Sequence, residues 1–160
     1  MSLERSKALL LSIGILMSSA CSFAQLPVNG GFESGELSPW VSSGSLATMS
    51  SLQPHSGAHH LRLRADGSPD HWAVAFQETA AAPGERWEAS VYALRKSGAR
   101  VVLKLEFRSA SGGKLEERRV TSTESEYMRL FIVRTAPEGT AFVRMVMVVL
   151  LEHLRVIQYH

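Results

Sequence analysis

Five residues in the middle of the chain have the types and spacing to hold a polar, ring-shaped ligand: Trp72, Gln77, Tyr92, Glu106 and Arg108. Aromatic side chains can lie against the apolar face of such a ring while amide, carboxylate and guanidinium groups hydrogen-bond the hydroxyls around its rim. Carbohydrate recognition needs that combination, and the groups must project from one sheet face or loop edge opposite the core. Alternation puts Tyr92, Glu106 and Arg108 on such faces; Gln77 joins them if its strand runs in the matching phase, and Trp72 sits beside the loop before that strand. Arg134 and Arg144 could line the same cleft as Arg108, which would favour acidic sugars. On the residues alone a second reading stays open, in which Trp72 belongs to the core and the charged residues form a solvated face.

Bond-making chemistry finds less support. No segment resembles a nucleophile elbow, a metalloprotease helix or a phosphate-binding loop. A glycosidase-type carboxylate pair could be assembled only in space, and a short chain whose only aspartates are Asp66 and Asp70 reads as a stand-alone module rather than an enzyme. The histidines His55, His59, His60 and His71 match no metal-binding spacing. Neighbours on a strand point to opposite faces, so His59 and His60 do not chelate one ion, and all four read as surface or loop residues.

The elements that must position these groups are strands. From His59 onward, short runs of period-two alternation are separated by Gly, Pro, Ser and Asp clusters, predicting strands over 59–65, 72–79, 86–96, 101–108, 114–122, 127–135, 141–150 and 153–159. The polar run 114–122 reads as an edge strand. Trp87 shares a face with Ala89 and Val91, so it and Trp40 are assigned to the core; the Ser- and Gly-rich segment 42–56 wraps that core. No stretch has convincing helical periodicity. Nine or ten short strands at this spacing predict an all-β, two-sheet sandwich of jelly-roll type.

Residues 1–24 read as a signal peptide, with Arg5 and Lys7 before an apolar stretch and Ser22-Phe23-Ala24 at the cleavage site. The apolar stretch is far shorter than the roughly 20 residues of a membrane span. Cys21, the only cysteine, either leaves with the signal or becomes the lipid-modified first residue of an outer-surface lipoprotein; neither case allows an internal disulfide. Residues 25–160 are expected to form one domain, monomeric, and secreted or periplasmic. The chain holds 17 basic and 15 acidic residues; setting aside Arg5, Lys7 and Glu4 leaves 15 against 14. This balance gives no reason to propose nucleic acid or an anionic membrane as partner.

One segment is more specific than the rest. Asn29-Gly30-Gly31-Phe32-Glu33-Ser34-Gly35, followed by Pro39-Trp40, combines adjacent glycines that permit a tight turn with two large apolar anchors. With Ser56-Gly57-Ala58-His59-His60-Leu61, the Pro83-Gly84 turn into Trp87–Ala93, and Tyr127 before Phe131-Ile132-Val133, this pattern resembles the CenC-like carbohydrate-binding modules, which are calcium-containing β-jelly rolls. The resemblance implies a galactose-binding-like sandwich that binds a polysaccharide without cleaving it. It also implies a structural calcium, for which Glu33 is the candidate carboxylate and Glu152 a second. Glu33 could instead hydrogen-bond neighbouring backbone. The family's terminal Asp-Asp-Val element is replaced here by Glu152-His153-Leu154-Arg155-Val156. That departure keeps an alternative in view, an envelope structural or protein-interaction sandwich that has lost sugar binding.

Overall fold

The computed structural model describes residues 27–43, 46–65, 72–96 and 98–151. The predicted strand 153–159, residues 1–24, Cys21 and Glu152 lie outside the described residues. Among the described residues nine strands follow in order: β1 (Val41–Ser42), β2 (Ala47–Ser50), β3 (His60–Leu63), β4 (Ala73–Ala80), β5 (Arg86–Ala93), β6 (Ala99–Arg108), β7 (Lys114–Ser122), β8 (Met128–Thr135) and β9 (Phe142–Leu151). They form an antiparallel five-stranded sheet in the order β1-β4-β9-β6-β7 and two antiparallel ribbons, β2-β3 and β5-β8.

Alternation explains how the layers meet. One phase of β6 places Leu103, Leu105 and Phe107 inward, and β9 contributes Val143, Met145 and Met147 to the same cluster; Trp87, Ala89, Leu130 and Ile132 answer from the β5-β8 ribbon. The result is a sandwich around one core, as the sequence predicts. β9 sits mid-sheet and buries both phases. Its outward Val146 and Val148 join Val102 in a second apolar cluster, flanked by Val74, Phe76 and Leu150. That accounts for the nearly unbroken apolar run of this strand.

The polar strand β7 is an edge strand, as its charges predict. The layer opposite the large sheet departs from a continuous sheet. Among the described residues its two ribbons are not hydrogen-bonded to each other, and a cleft opens between them.

The Asn29–Gly35 segment ties one end of the sandwich. Phe32 and Trp40 are buried with ring centroids 5.4 Å apart, and the Trp40 indole donates to the Asn29 carbonyl at 3.3 Å. The Asn29 amide donates to the carbonyls of Glu36 and Ser38, at 2.9 and 3.1 Å. The positive backbone angles fall on Asn29, Phe32 and Gly35, not on the adjacent pair Gly30-Gly31. Gly30 is needed for space: a Cβ there would stand 2.7 Å from the Pro27 ring.

Glu33 reaches from this loop to the segment before β3. Its Oε2 accepts from the Ala58 amide at 2.8 Å and its Oε1 from the His59 amide at 3.4 Å. Gly57, at φ +68°, lies directly beneath the carboxylate, where a Cβ would collide with it. Gly57→Ala therefore strains the backbone and breaks the clamp, and is expected to lower unfolding free energy by about 1–3 kcal/mol in a denaturant titration.

Candidate functional site

The five residues singled out above do not converge. Gln77 is the clearest correction: its side chain is 5% exposed on the core side of β4. Its Oε1 accepts from the Val28 amide at 3.0 Å and its Nε2 donates to the Val28 carbonyl at 2.6 Å. The amide latches the N-terminal segment to the sheet and presents nothing to a ligand. Gln77→Ala is expected to cost about 1–3 kcal/mol of stability and to leave ligand affinity unchanged, as unfolding and binding curves on one sample will show.

Glu106 and Arg108 do share a face, the outer side of the five-stranded sheet, but they are engaged in ion pairs. Arg108 Nη1 donates to Glu106 Oε2 at 3.0 Å, and Arg144 donates to Glu78 Oε2 at 2.9 Å. Glu78 also lies 3.8 Å from Arg108, and the Arg144 guanidinium covers the Phe76 ring at 4.2 Å. Two arginines and two glutamates thus neutralise one another, so the expectation of acidic sugars based on Arg108 and Arg144 loses its footing on this face. Arg134 is elsewhere, on β8 and 3.9 Å from Glu116. Beyond the network, Val102, Val146 and Val148 are buried rather than open to a ligand. Trp72 is 57% exposed but precedes Ala73, six residues along the strand from Glu78, a distance of about 20 Å.

Tyr92 has the surroundings a ring-shaped ligand requires. It is 51% exposed on the outer phase of β5, with Trp87, Ala89 and Ala93 buried on the inner phase. The His55 ring stacks on it, centroids 3.9 Å apart and planes 11° from parallel, and Tyr127 meets His55 edge-on at 5.0 Å. This aromatic group stands at the mouth of the cleft between the ribbons, a space of about 980 Å³ floored by inward residues of β6 and β9 such as Val101, Met145 and Met147. Two other exposed side chains adjoin it on the ribbon: Phe131 shares the outer phase, paired in register with Ser90, and Arg129 lies opposite Tyr92.

The loop between β2 and β3 holds this arrangement. Gln53, at φ +59°, accepts the Tyr127 hydroxyl on its carbonyl at 2.7 Å and Lys96 Nζ on its side-chain oxygen at 2.7 Å. One strained residue thus fastens the first ribbon's loop to the second ribbon. Burial pushes the Tyr127 phenol above its ordinary range, which keeps it a hydrogen-bond donor. Burial, and then the charge of Arg62, hold His60 below the usual histidine value, so it is neutral at pH 7. Stacking surface, fixed donors and acceptors, and a concave floor are the ingredients for binding a sugar chain edge-on.

Sequence reasoning finds Tyr92 by its phase but misses His55, Tyr127, Gln53, Lys96 and Phe131. Only Phe131 leaves a trace, as a large aromatic residue in the phase of β8 that also carries Arg129 and Thr135. For a cation, no group of three or more His, Cys, Asp or Glu gathers among the described residues, and both Glu33 oxygens face amide donors.

A family model described as a carbohydrate binding domain matches residues 24–128 of the chain. Among solved structures, the enzymatically active domain of bacteriophage CBA120 tailspike protein 4 is similar with a TM-score of 0.63 at 14% identity, over 77% of this chain and only 19% of that one. A CBM61 module in complex with β-1,4-galactotriose gives 0.57 at 22% identity, over 76% of this chain and 84% of that one. The CBM22-1 xylan-binding domain of Paenibacillus barcinonensis Xyn10C gives 0.56 at 16%, over 77% and 88%. At these identities the likeness is one of fold. No curated protein matches the chain.

Proposed function

The chain belongs to the carbohydrate-binding domain family, and from that premise we propose that it is a secreted, non-catalytic polysaccharide-binding domain whose ligand lies at the mouth of the inter-ribbon cleft. The observation that carries this reading is the aromatic group of Tyr92, His55 and Tyr127 at the edge of a cleft lined by polar side chains. A pyranose ring takes the exposed Tyr92–His55 surface, and Gln53, Ser90 and Lys96 address its hydroxyls. Binding without cleavage is supported by chemistry: glycoside hydrolysis uses two carboxylates, and no described residue lining this cleft is Asp or Glu.

Export as a monomer, with Cys21 either removed or lipidated, belongs to the same proposal, and the mass of the mature protein distinguishes the two fates. A structural calcium would compete with the Ala58 and His59 amides for the Glu33 oxygens and take its other ligands from outside the described residues, Glu152 among them. Melting with added calcium and with chelator tests it: an upward shift with calcium supports the ion, and coincident curves remove it.

The function itself is tested by calorimetric titration of the purified protein with xylo-, β-1,4-galacto- and gluco-oligosaccharides and with acidic oligosaccharides. Saturable binding to at least one is expected. A folded sample that binds none would leave the protein-interaction reading, which the exposed Leu52, Met128 and Phe131 beside the cleft favour.

A further inference from the structure

The charge of the cleft is one-sided. Among the described residues that line it, Arg62, Arg64, Arg95 and Lys96 are basic and none is acidic, although the whole chain is nearly balanced, with 17 basic and 15 acidic residues. The contrast with the outer face of the large sheet is direct: there Arg108 and Arg144 are matched by Glu106 and Glu78. Glu33, beside the cleft wall at His59, is taken up by the backbone amides of Ala58 and His59. Lys96 is fixed at the mouth by its hydrogen bond to Gln53, within the same loop-to-ribbon fastening that holds Tyr127 and adjoins the His55–Tyr92 stack.

A stacking surface beside cations that no carboxylate among the described residues of the cleft matches recognises a ring that carries its own negative charge. Low-dielectric walls strengthen that attraction, and an ammonium or guanidinium gives charge-assisted hydrogen bonds to a carboxylate or sulfate. A neutral glycan in the same place would meet positive charge without using it. We propose that the ligand of this cleft is an anionic saccharide, with its sugar ring on the Tyr92–His55 surface and its carboxylate or sulfate toward Lys96 and the arginines of the cleft. This inference rests on the carbohydrate-binding reading above and narrows it to a ligand class.

The test is calorimetric titration of the purified protein with four trimers: xylotriose as the neutral ligand, trigalacturonate as the carboxylated one, a sulfated galactotriose, and triglutamate as an anion without sugar rings. The expected result is binding of a charged trisaccharide about tenfold or more tighter than xylotriose, the equivalent of one charge-assisted hydrogen bond. Raising salt from about 50 mM to about 500 mM is expected to erode that advantage. The carboxylated and sulfated trimers, compared with each other, identify the anionic group. Lys96→Gln, with unchanged melting temperature, is expected to weaken the charged trisaccharide about fivefold more than it weakens xylotriose, which loses only a neutral hydroxyl contact.

Xylotriose bound as tightly as the charged trimers, or an equal loss for both in Lys96→Gln, overturns the inference while keeping the carbohydrate reading. Triglutamate bound as tightly as trigalacturonate overturns it as well, because the rings would then contribute nothing. A folded protein that binds none of the saccharides defeats the underlying reading too.

Discussion

Trp87→Ala is expected to cost the fold about 4 kcal/mol, whereas Trp87→Phe costs less than about 1.5 kcal/mol. Trp87 is 1% exposed and faces the core from β5, surrounded by inward residues of both layers. Alanine removes a large apolar surface and leaves a cavity that a sandwich of hydrogen-bonded strands cannot collapse to fill. Phenylalanine keeps most of the ring contact and also removes a liability. The indole N–H is buried with no hydrogen-bond partner among the described residues, an arrangement that costs about 1–3 kcal/mol and offsets part of the lost volume. Urea unfolding of the three proteins decides the matter. If phenylalanine destabilises as much as alanine, packing of the outer indole ring outweighs everything else at this position and the unpaired N–H costs little.

The strands easiest to read in the sequence are those whose two faces differ most. β7 has the predicted bounds, and β6 differs from them only at its start, because polar turns bound them and every second residue changes character. β1 and β2 are legible only as a segment wrapping the core. Two- and four-residue strands in a Ser- and Gly-rich stretch exist through their partners, Val41 against Phe76 far along the chain and Met49 against Leu61 on the next strand.

Gln77 misleads for a related reason. β4 carries Val74 and Phe76 on its outer phase and alanines on its inner one, so size and polarity do not say which side is the core. The site shows a deeper limit. Alternation tells which face of a strand a residue occupies but not which layer holds the strand. Tyr92, Glu106 and Arg108 are all outward-facing, yet they stand on opposite layers of the sandwich. His55 and Gln53 lie in a loop without periodicity, and only their contacts with Tyr92, Tyr127 and Lys96 reveal them.

Tyr92→Ala is expected to weaken oligosaccharide binding about thirtyfold, close to 2 kcal/mol, with little change in stability. The asymmetry follows from where the side chain stands. Half of it is in solvent and its neighbours on the inner phase, Val91 and Ala93, carry the packing, so truncation leaves the core intact. What is lost is the stacking surface, together with the ring that orients His55. Arg108→Gln supplies the opposite control. It breaks the pairs with Glu106 and Glu78 on the far face and is expected to leave affinity within about twofold, since the proposed ligand lies on the opposite layer. The pair of titrations separates the two layers cleanly. A large loss in Arg108→Gln with none in Tyr92→Ala would move the ligand to the outer face of the five-stranded sheet, where Trp72 offers an exposed aromatic ring at the margin.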